Sequence, residues 1–254
     1  YLMASRLKPN TISTYMRMLR SIYNRGVDMH QAPYVHGLFR DVFTGVDTRQ
    51  KKAIPIGELH MLLNKDPQSE KLRRTQAIAN LLFQFCGMPF SDLAHLEKSN
   101  LERGLLKYNR TKTGTPMSIE VLESAQNAIG GLYNKSDARS SGYPDYLFRI
   151  LSGAYKRNEE GAYREYQSAL RRFNNELKSL SRKLRLHSPV TSYTLRHSWA
   201  TTAKYRGVPI EMISESLGHK SIKTTQIYLK GFELEERTKV NKLNYSYVCN
   251  FKTL

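Results

Sequence analysis

The sequence predicts a mostly helical α+β fold, and three observations predict it. Apolar residues recur at helical spacing over most of the 254 residues. One convincing β signal occurs, between residues 105 and 121, and it carries Gly114 in its turn. A stretch short on periodicity, residues 39–52, separates a first helix from the rest and reads as a linker.

In chain order, Pro9 with Asn10 or Thr11 starts a helix carried by Ile12, Tyr15, Met16, Leu19, Ile22 and Tyr23. Arg17, Arg20 and Arg25 ride on it, and Gly26 with the 33–37 stretch ends it. A single helix cannot bury its own apolar face, and the chain opens at Tyr1. This part is therefore expected to be the end of a domain whose start is missing. Next come a short helix over 58–63 and a long buried one over 73–84, through Ile78, Leu81, Leu82 and Phe85. Gly87-Met88-Pro89 breaks that helix, and Ser91 recaps a turn through Leu93 and Leu96. Strands over 105–108 and 116–121 flank Thr111-Lys112-Thr113-Gly114. Helices follow over 121–133, 159–186, 194–206, 209–217 and 222–230. In the last segment, 235–250, Val240, Leu243 and Tyr247 stand at i, i+3, i+7. Internal repeats and low-complexity tracts are absent.

Lys and Arg total 40 against 22 Asp and Glu, a formal net charge of +18 with a pI near 9.9. Such an excess concerns partners rather than fold. Residues 149–206 hold 13 Lys and Arg against four acids, and residues 1–52 hold nine against three. Two separated basic zones suit a grip on a polyanion from two sides, and nucleic acid is the partner expected from the charge. No segment pairs a basic face with a Trp- and Phe-rich one, which argues against a membrane surface. The longest apolar run, residues 77–90, is interrupted by Asn80 and Gln84 and falls short of the ~18 residues of a span. Cys86 and Cys249 give neither a disulfide framework nor zinc-ligand spacing, so secreted disulfide scaffolds and structural zinc proteins are excluded. Without a signal-like segment, the expected location is the cytoplasm, in association with the nucleoid.

The informative region, residues 192–231, reads SYTLRHSWATTAKYRGVPIEMISESLGHKSIKTTQIYLKG. Three successive helices there offer Arg196, His219 and Tyr228 near their ends. A phenol beside a guanidinium has its phenolate favoured. A phenolate among cations is a nucleophile suited to a phosphodiester. Taken alone, Tyr228 is one of 16 tyrosines and Lys112 an ordinary solvated turn lysine. Their place in the full pattern is what singles them out.

That pattern resembles the tyrosine recombinase (phage-integrase) family. LRHSWATT follows the family's second box, roughly His-x-Leu-Arg-His-Ser/Thr-x-Ala-Thr. GVPIEMISESLGHKSI follows the helix that leads to Leu-Gly-His, and TTQIY ends in the tyrosine, nine residues after His219. More loosely, LKPNTISTYMRMLRSIYNRGVD resembles the last part of the family's core-binding domain. Residues 106–119, with Lys112 in TKTG, resemble the hairpin that presents the family's lysine. GMPFSDLAHLEKSNL is similar to the first box as found in integrases of conjugative and mobilisable elements.

The resemblance implies a catalytic domain with a small antiparallel sheet, preceded by the end of an all-α core-binding domain. Its divisions would be residues 1–48 for the clamp remnant and linker, 49–234 for the catalytic domain, and 235–254 for a tail helix that packs on a neighbouring protomer or on its own domain. It implies site-specific cutting and rejoining of DNA through a 3′-phosphotyrosine, with four protomers on two DNA sites and neither metal nor cofactor. Tyr228 would be the nucleophile, Arg196 and His219 the phosphate ligands, and Lys112 the general acid. Double-stranded DNA is expected to meet Arg17, Arg20, Arg171, Arg172, Lys183 and Arg185. His187 and His197 are expected to cap or buttress Arg196.

Two family positions are filled differently. Tyr193 stands in place of a His three residues before Arg196, and its hydroxyl can donate to a phosphate oxygen. The first-box Arg falls at Pro89, with no Arg between Arg74 and Arg103. Losing one such oxyanion donor costs about 2.7–4 kcal/mol. Either another cation fills the gap or the chain is a catalytically impaired DNA-binding member acting as an accessory factor. A topoisomerase using the same tyrosine chemistry is a third reading. A plain helix-turn-helix regulator explains the charge but not the spacing of LGH and TTQIY.

Overall fold

Pro9, with its fixed φ and missing N–H, opens α1 (Pro9–Asp28), and His30 at φ +57 closes it two residues past the end. The computed structural model describes residues 7–45, 53–136, 142–229 and 234–249. Its chain divides into two units, Tyr1–Gln50 and Lys51–Leu254. In the first, α1 runs through Gly26, where the sequence predicts its end. Gly26 instead takes part in the cap, its carbonyl accepting from the N–H groups of Gln31 and Ala32. The returning chain is tied down by the Tyr23 hydroxyl, which donates to Pro33 O and accepts from Val35 N. Ser13 Oγ donates to Gly45 O, and the remainder of the expected linker lies outside the described residues. Met18, Leu19 and Ile22 are exposed on α1.

The second unit is built around α3 (Glu70–Gln84), against which α2 (Ile56–Asn64), α5 (Glu123–Leu132), α6 (Glu160–Lys183) and α7 (Ser192–Tyr205) pack. Ala79, Leu81 and Leu82 of α3 are fully buried, as its near-continuous apolar run requires. Phe90, in the short α4 (Phe90–Ala94), stacks on Phe173 of α6 at 4.7 Å and 11°. The hairpin forms as the alternation predicts: β2 (Leu105–Asn109) pairs antiparallel with β3 (Pro116–Glu120), Leu106 facing Ile119 across the ladder. A third strand goes beyond the sequence reading. The two residues of β1 (Leu101–Glu102) pair with β2 through a turn in which Arg103 and Gly104 both take positive φ, the geometry of a tight hairpin. The extended stretch around residues 145–148 is a second addition; Tyr146, Leu147 and Phe148 are buried in the core.

Beyond α7, α8 (Ile210–Ser216) and α9 (Ile222–Tyr228) enclose a smaller cluster of Ala200, Ile213, Leu217 and Leu229. The tail forms α10 (Leu234–Cys249), on which Val240 and Leu243 are exposed; the side chain of Tyr247 lies outside the described residues. Among the described residues no helix is long and apolar enough to cross a membrane.

Leu82→Ala is expected to lower the unfolding free energy by about 2–5 kcal/mol. Urea titration followed by the fluorescence of Trp199, the chain's single tryptophan, measures it. Tyr163→Ala, on an exposed face of α6, is expected to change it by no more than about 0.5 kcal/mol.

Candidate functional site

The site begins at the amino end of α7, which Thr191 caps by accepting from the Thr194 N–H while Thr194 Oγ1 accepts from the Thr191 N–H. That start sets the phase of the helix and sends Arg196 inward, where it is 7% exposed. Its Nη1 donates to Gly87 O at 2.8 Å and its Nη2 to Leu217 O at 2.6 Å. Nη2 also lies 3.2 Å from His219 Nε2. A guanidinium only donates, so Nε2 is the acceptor there. Nδ1 then carries the proton and donates to Thr225 Oγ1 at 2.8 Å. Thr225 is fully buried on α9, so the imidazole joins α9 to α7.

Gly87 permits this approach. At φ +64, an added Cβ would stand 3.2 Å from Arg196 Cα and from Trp199 Cβ. Pro89, where the resemblance leads one to expect an arginine, is the residue preceding α4. A second buried guanidinium stands beside that of Arg196. Arg110, immediately after β2, is 8% exposed and places Nε 2.6 Å from Oδ2 of the buried Asp92, a charge contact off the line of a good hydrogen bond. Its Nη1 donates to Leu217 O, the carbonyl that Arg196 also uses. Sequence reasoning missed Arg110, although the signal was present. The alternation that turns Leu106 and Tyr108 inward on β2 carries on to position 110. Gly218, at φ +64, leaves the room: a Cβ there would stand 2.7 Å from Met117 Sδ and 3.0 Å from Arg110 Cγ.

These charges govern the neighbouring titrations. Burial first, then the guanidiniums of Arg196 and Arg110, push His219 down to about 4, so the ring is neutral near pH 7. Burial, with the Asp92 charge behind it, pushes the Tyr108 hydroxyl up, and burial pushes the Cys86 thiol up. Neither is a nucleophile near neutral pH. A pair of guanidiniums beside a neutral imidazole suits an anion better than a metal cation. Among the described residues, no three His, Cys, Asp or Glu could hold a metal.

The structure thus brings Arg196 and His219 together and adds Arg110, Asp92 and Thr225. Lys112 stands exposed on the turn that follows Arg110, and Tyr193 is 43% exposed on α7. Tyr228 is the last residue of α9; its side chain lies outside the described residues. Arg17 and Arg20 are exposed on α1. Arg171, Arg172, Lys183 and Arg185 are exposed along and just after α6, where Arg171 and Arg172 line a cleft with Lys71. His197 is buried, whereas His187 is exposed and its backbone N–H meets Glu58.

In the folded chain His219 protonates near 4, against 6.5 when unfolded. The unfolded state therefore binds more protons between those values, and stability is lost as pH falls through that window. The loss assigned to this ring is about 1–3 kcal/mol. His219→Gln is expected to remove that part of the slope between pH 6.5 and 4, as measured by denaturant titration at a series of pH values.

The phage integrase family profile matches residues 56–234. A probable integrase/recombinase protein of Methanocaldococcus jannaschii is 28% identical over 204 residues, 78% of this chain and 58% of that protein. The tyrosine recombinase XerD of Halalkalibacterium halodurans is 30% identical over 190 residues, 71% of this chain and 57% of its own length. The chain therefore spans a little under three fifths of each of these relatives. Among solved structures, the Tn1549 transposon integrase in complex with a circular intermediate DNA superposes with a TM-score of 0.65 at 15% identity, over 95% of this chain and 82% of that one. The fold is that of tyrosine recombinase catalytic domains, and the chain belongs to the phage integrase family, the tyrosine recombinases.

Proposed function

We propose that this chain carries the catalytic part of a site-specific DNA recombinase that cuts and rejoins strands through a 3′-phosphotyrosine on Tyr228, in the integration or excision of a mobile element. The observation that carries the reading is the 3.2 Å approach of Arg196 to His219, with His219 held by Thr225 on the helix that ends at Tyr228. Residues 225 and 228 are three apart on α9, the spacing that places two positions on one face of a helix.

In this mechanism the cations favour the Tyr228 phenolate, whose proton leaves to solvent. The phenolate oxygen attacks the scissile phosphorus, a P–O bond to tyrosine forms, and the bond to the 5′ oxygen breaks. Lys112 gives its proton to that leaving oxygen as general acid. Arg196 stabilises the charge that develops on the non-bridging oxygens, His219 hydrogen-bonds the phosphate, and Tyr193 donates to it. Because the phosphate is conserved as an ester, a 5′ hydroxyl reverses the step to join a new partner strand, without ATP.

The wider reading assigns residues 1–48 to a DNA clamp, 49–234 to the catalytic domain and 235–254 to a tail. Arg17, Arg20, Arg171, Arg172, Lys183 and Arg185 would meet the phosphate backbone, in an assembly of four protomers on two sites, in the cytoplasm. The circular intermediate DNA bound by the Tn1549 integrase, a protein of the same fold, supports that choice of partner.

The test is covalent trapping by the full-length protein on nicked duplexes drawn from the ends of the element that carries its gene. An adduct that survives SDS is expected, and Tyr228→Phe is expected to abolish it. Lys112→Ala is expected to slow its formation about 10²–10⁴-fold. Specific, salt-sensitive binding without an adduct would overturn the proposal in favour of an accessory DNA-binding role.

A further inference from the structure

We infer that Arg110 supplies the second guanidinium to the scissile phosphate, the group that Pro89 does not provide. The inference rests on the strand-cleavage reading above and deepens it. Four observations carry it. Arg110 and Arg196 reach the same atom, Leu217 O, from different elements, so their guanidinium groups are neighbours. Both depress His219, so both charges are felt at the imidazole that belongs to the site. Gly218 leaves the space for the Arg110 side chain that any larger residue would close. Finally, the fork of Arg110 is only partly used: Nε faces Asp92 and Nη1 faces Leu217, while Nη2 makes no hydrogen bond to a described residue.

A cation held only for the stability of the hairpin would be served by Asp92 alone. Holding two guanidiniums against one carbonyl adds Coulomb repulsion, and an anion between them removes it. The oxygens of a phosphodiester are such an anion, and a planar fork suits them better than an ammonium group would. Position also matters, because Arg110 N–H donates to Thr115 O and Gly114 N–H to Arg110 O, closing the turn that carries Lys112. An arginine seated on the phosphate thereby fixes the base of the hairpin whose turn holds the general acid.

Removing Arg110 alone would leave the buried Asp92 carboxylate without its cation and endanger folding. The experiment therefore compares Asp92→Asn with the double variant Asp92→Asn/Arg110→Met in the full-length protein. Adduct formation is followed on nicked duplexes bearing either an ordinary phosphodiester or a neutral methylphosphonate at the scissile position. On the phosphodiester the double variant is expected to be slower than Asp92→Asn by about 10²–10³-fold, and on the methylphosphonate, which lacks the charge Arg110 would neutralise, by less than about tenfold. Gel-shift affinity is expected to be similar for the two proteins. An equal loss on both substrates, or no loss on the phosphodiester, overturns the role of Arg110 while leaving the Tyr228 reading standing. A parent protein that forms no Tyr228 adduct on either substrate overturns both.

Discussion

The carbonyl of Leu217 is the atom on which the site depends. The last turn of a helix leaves C=O groups without partners inside the helix, and the aligned peptide dipoles make that end negative. At the end of α8 one such oxygen accepts from Arg196 of α7 and from Arg110 at the base of the β2–β3 hairpin. Residues 110, 196 and 217 are far apart in sequence, yet one acceptor sets the position of two charged groups. That oxygen is itself held because Leu217 is fully buried with Ile213, Ala200 and Leu229. A modest apolar cluster thus governs the placement of a buried pair of cations.

The segment from the end of α3 through α4 takes part from the other side, with acceptors instead of a donor. Gly87 offers its carbonyl to Arg196, and Asp92 offers its carboxylate to Arg110 and to the Thr111 N–H. A segment that lacks the family's arginine therefore still steers both guanidiniums. It can do so only if it lies close to α7, which the missing Cβ of Gly87 allows. Phe90 anchors it to α6 through its stack on Phe173.

Much of this was legible in the sequence because the signals were local. Helical spacing gave α3, α6, α7 and α8 nearly to their ends, and the motif singled out Arg196 and His219, which meet in the fold. What escaped had non-local causes. β1 is two residues long and exists because Arg103 and Gly104 can turn it back onto β2, too short a stretch for any periodicity. The stretch 145–148 is buried by tertiary packing and by single bridges from Glu97 to Tyr146 and from Tyr133 to Phe148. Arg110 escaped because a basic residue in a loop motif reads as solvated. Only the continuation of the β2 alternation, and the buried carboxylate waiting 18 positions earlier at Asp92, reverse that reading.

The neutral state of His219 limits how the chemistry can be divided. An imidazole that protonates only near 4, beside two guanidiniums, does not carry at neutral pH the second proton of an imidazolium that a leaving oxygen could take. It can offer one N–H and one lone pair, and in the folded chain these go to Thr225 and Arg196. Any contact it makes with a phosphate must be exchanged for one of those. The arginines cannot act as acids either, because guanidinium does not deprotonate in a protein. On the proposed mechanism, proton donation therefore falls to a group outside the buried cluster, where an ammonium keeps its charge in water until it is used. Lys112, exposed on the turn next to Arg110, is the group that the proposed mechanism assigns to that step.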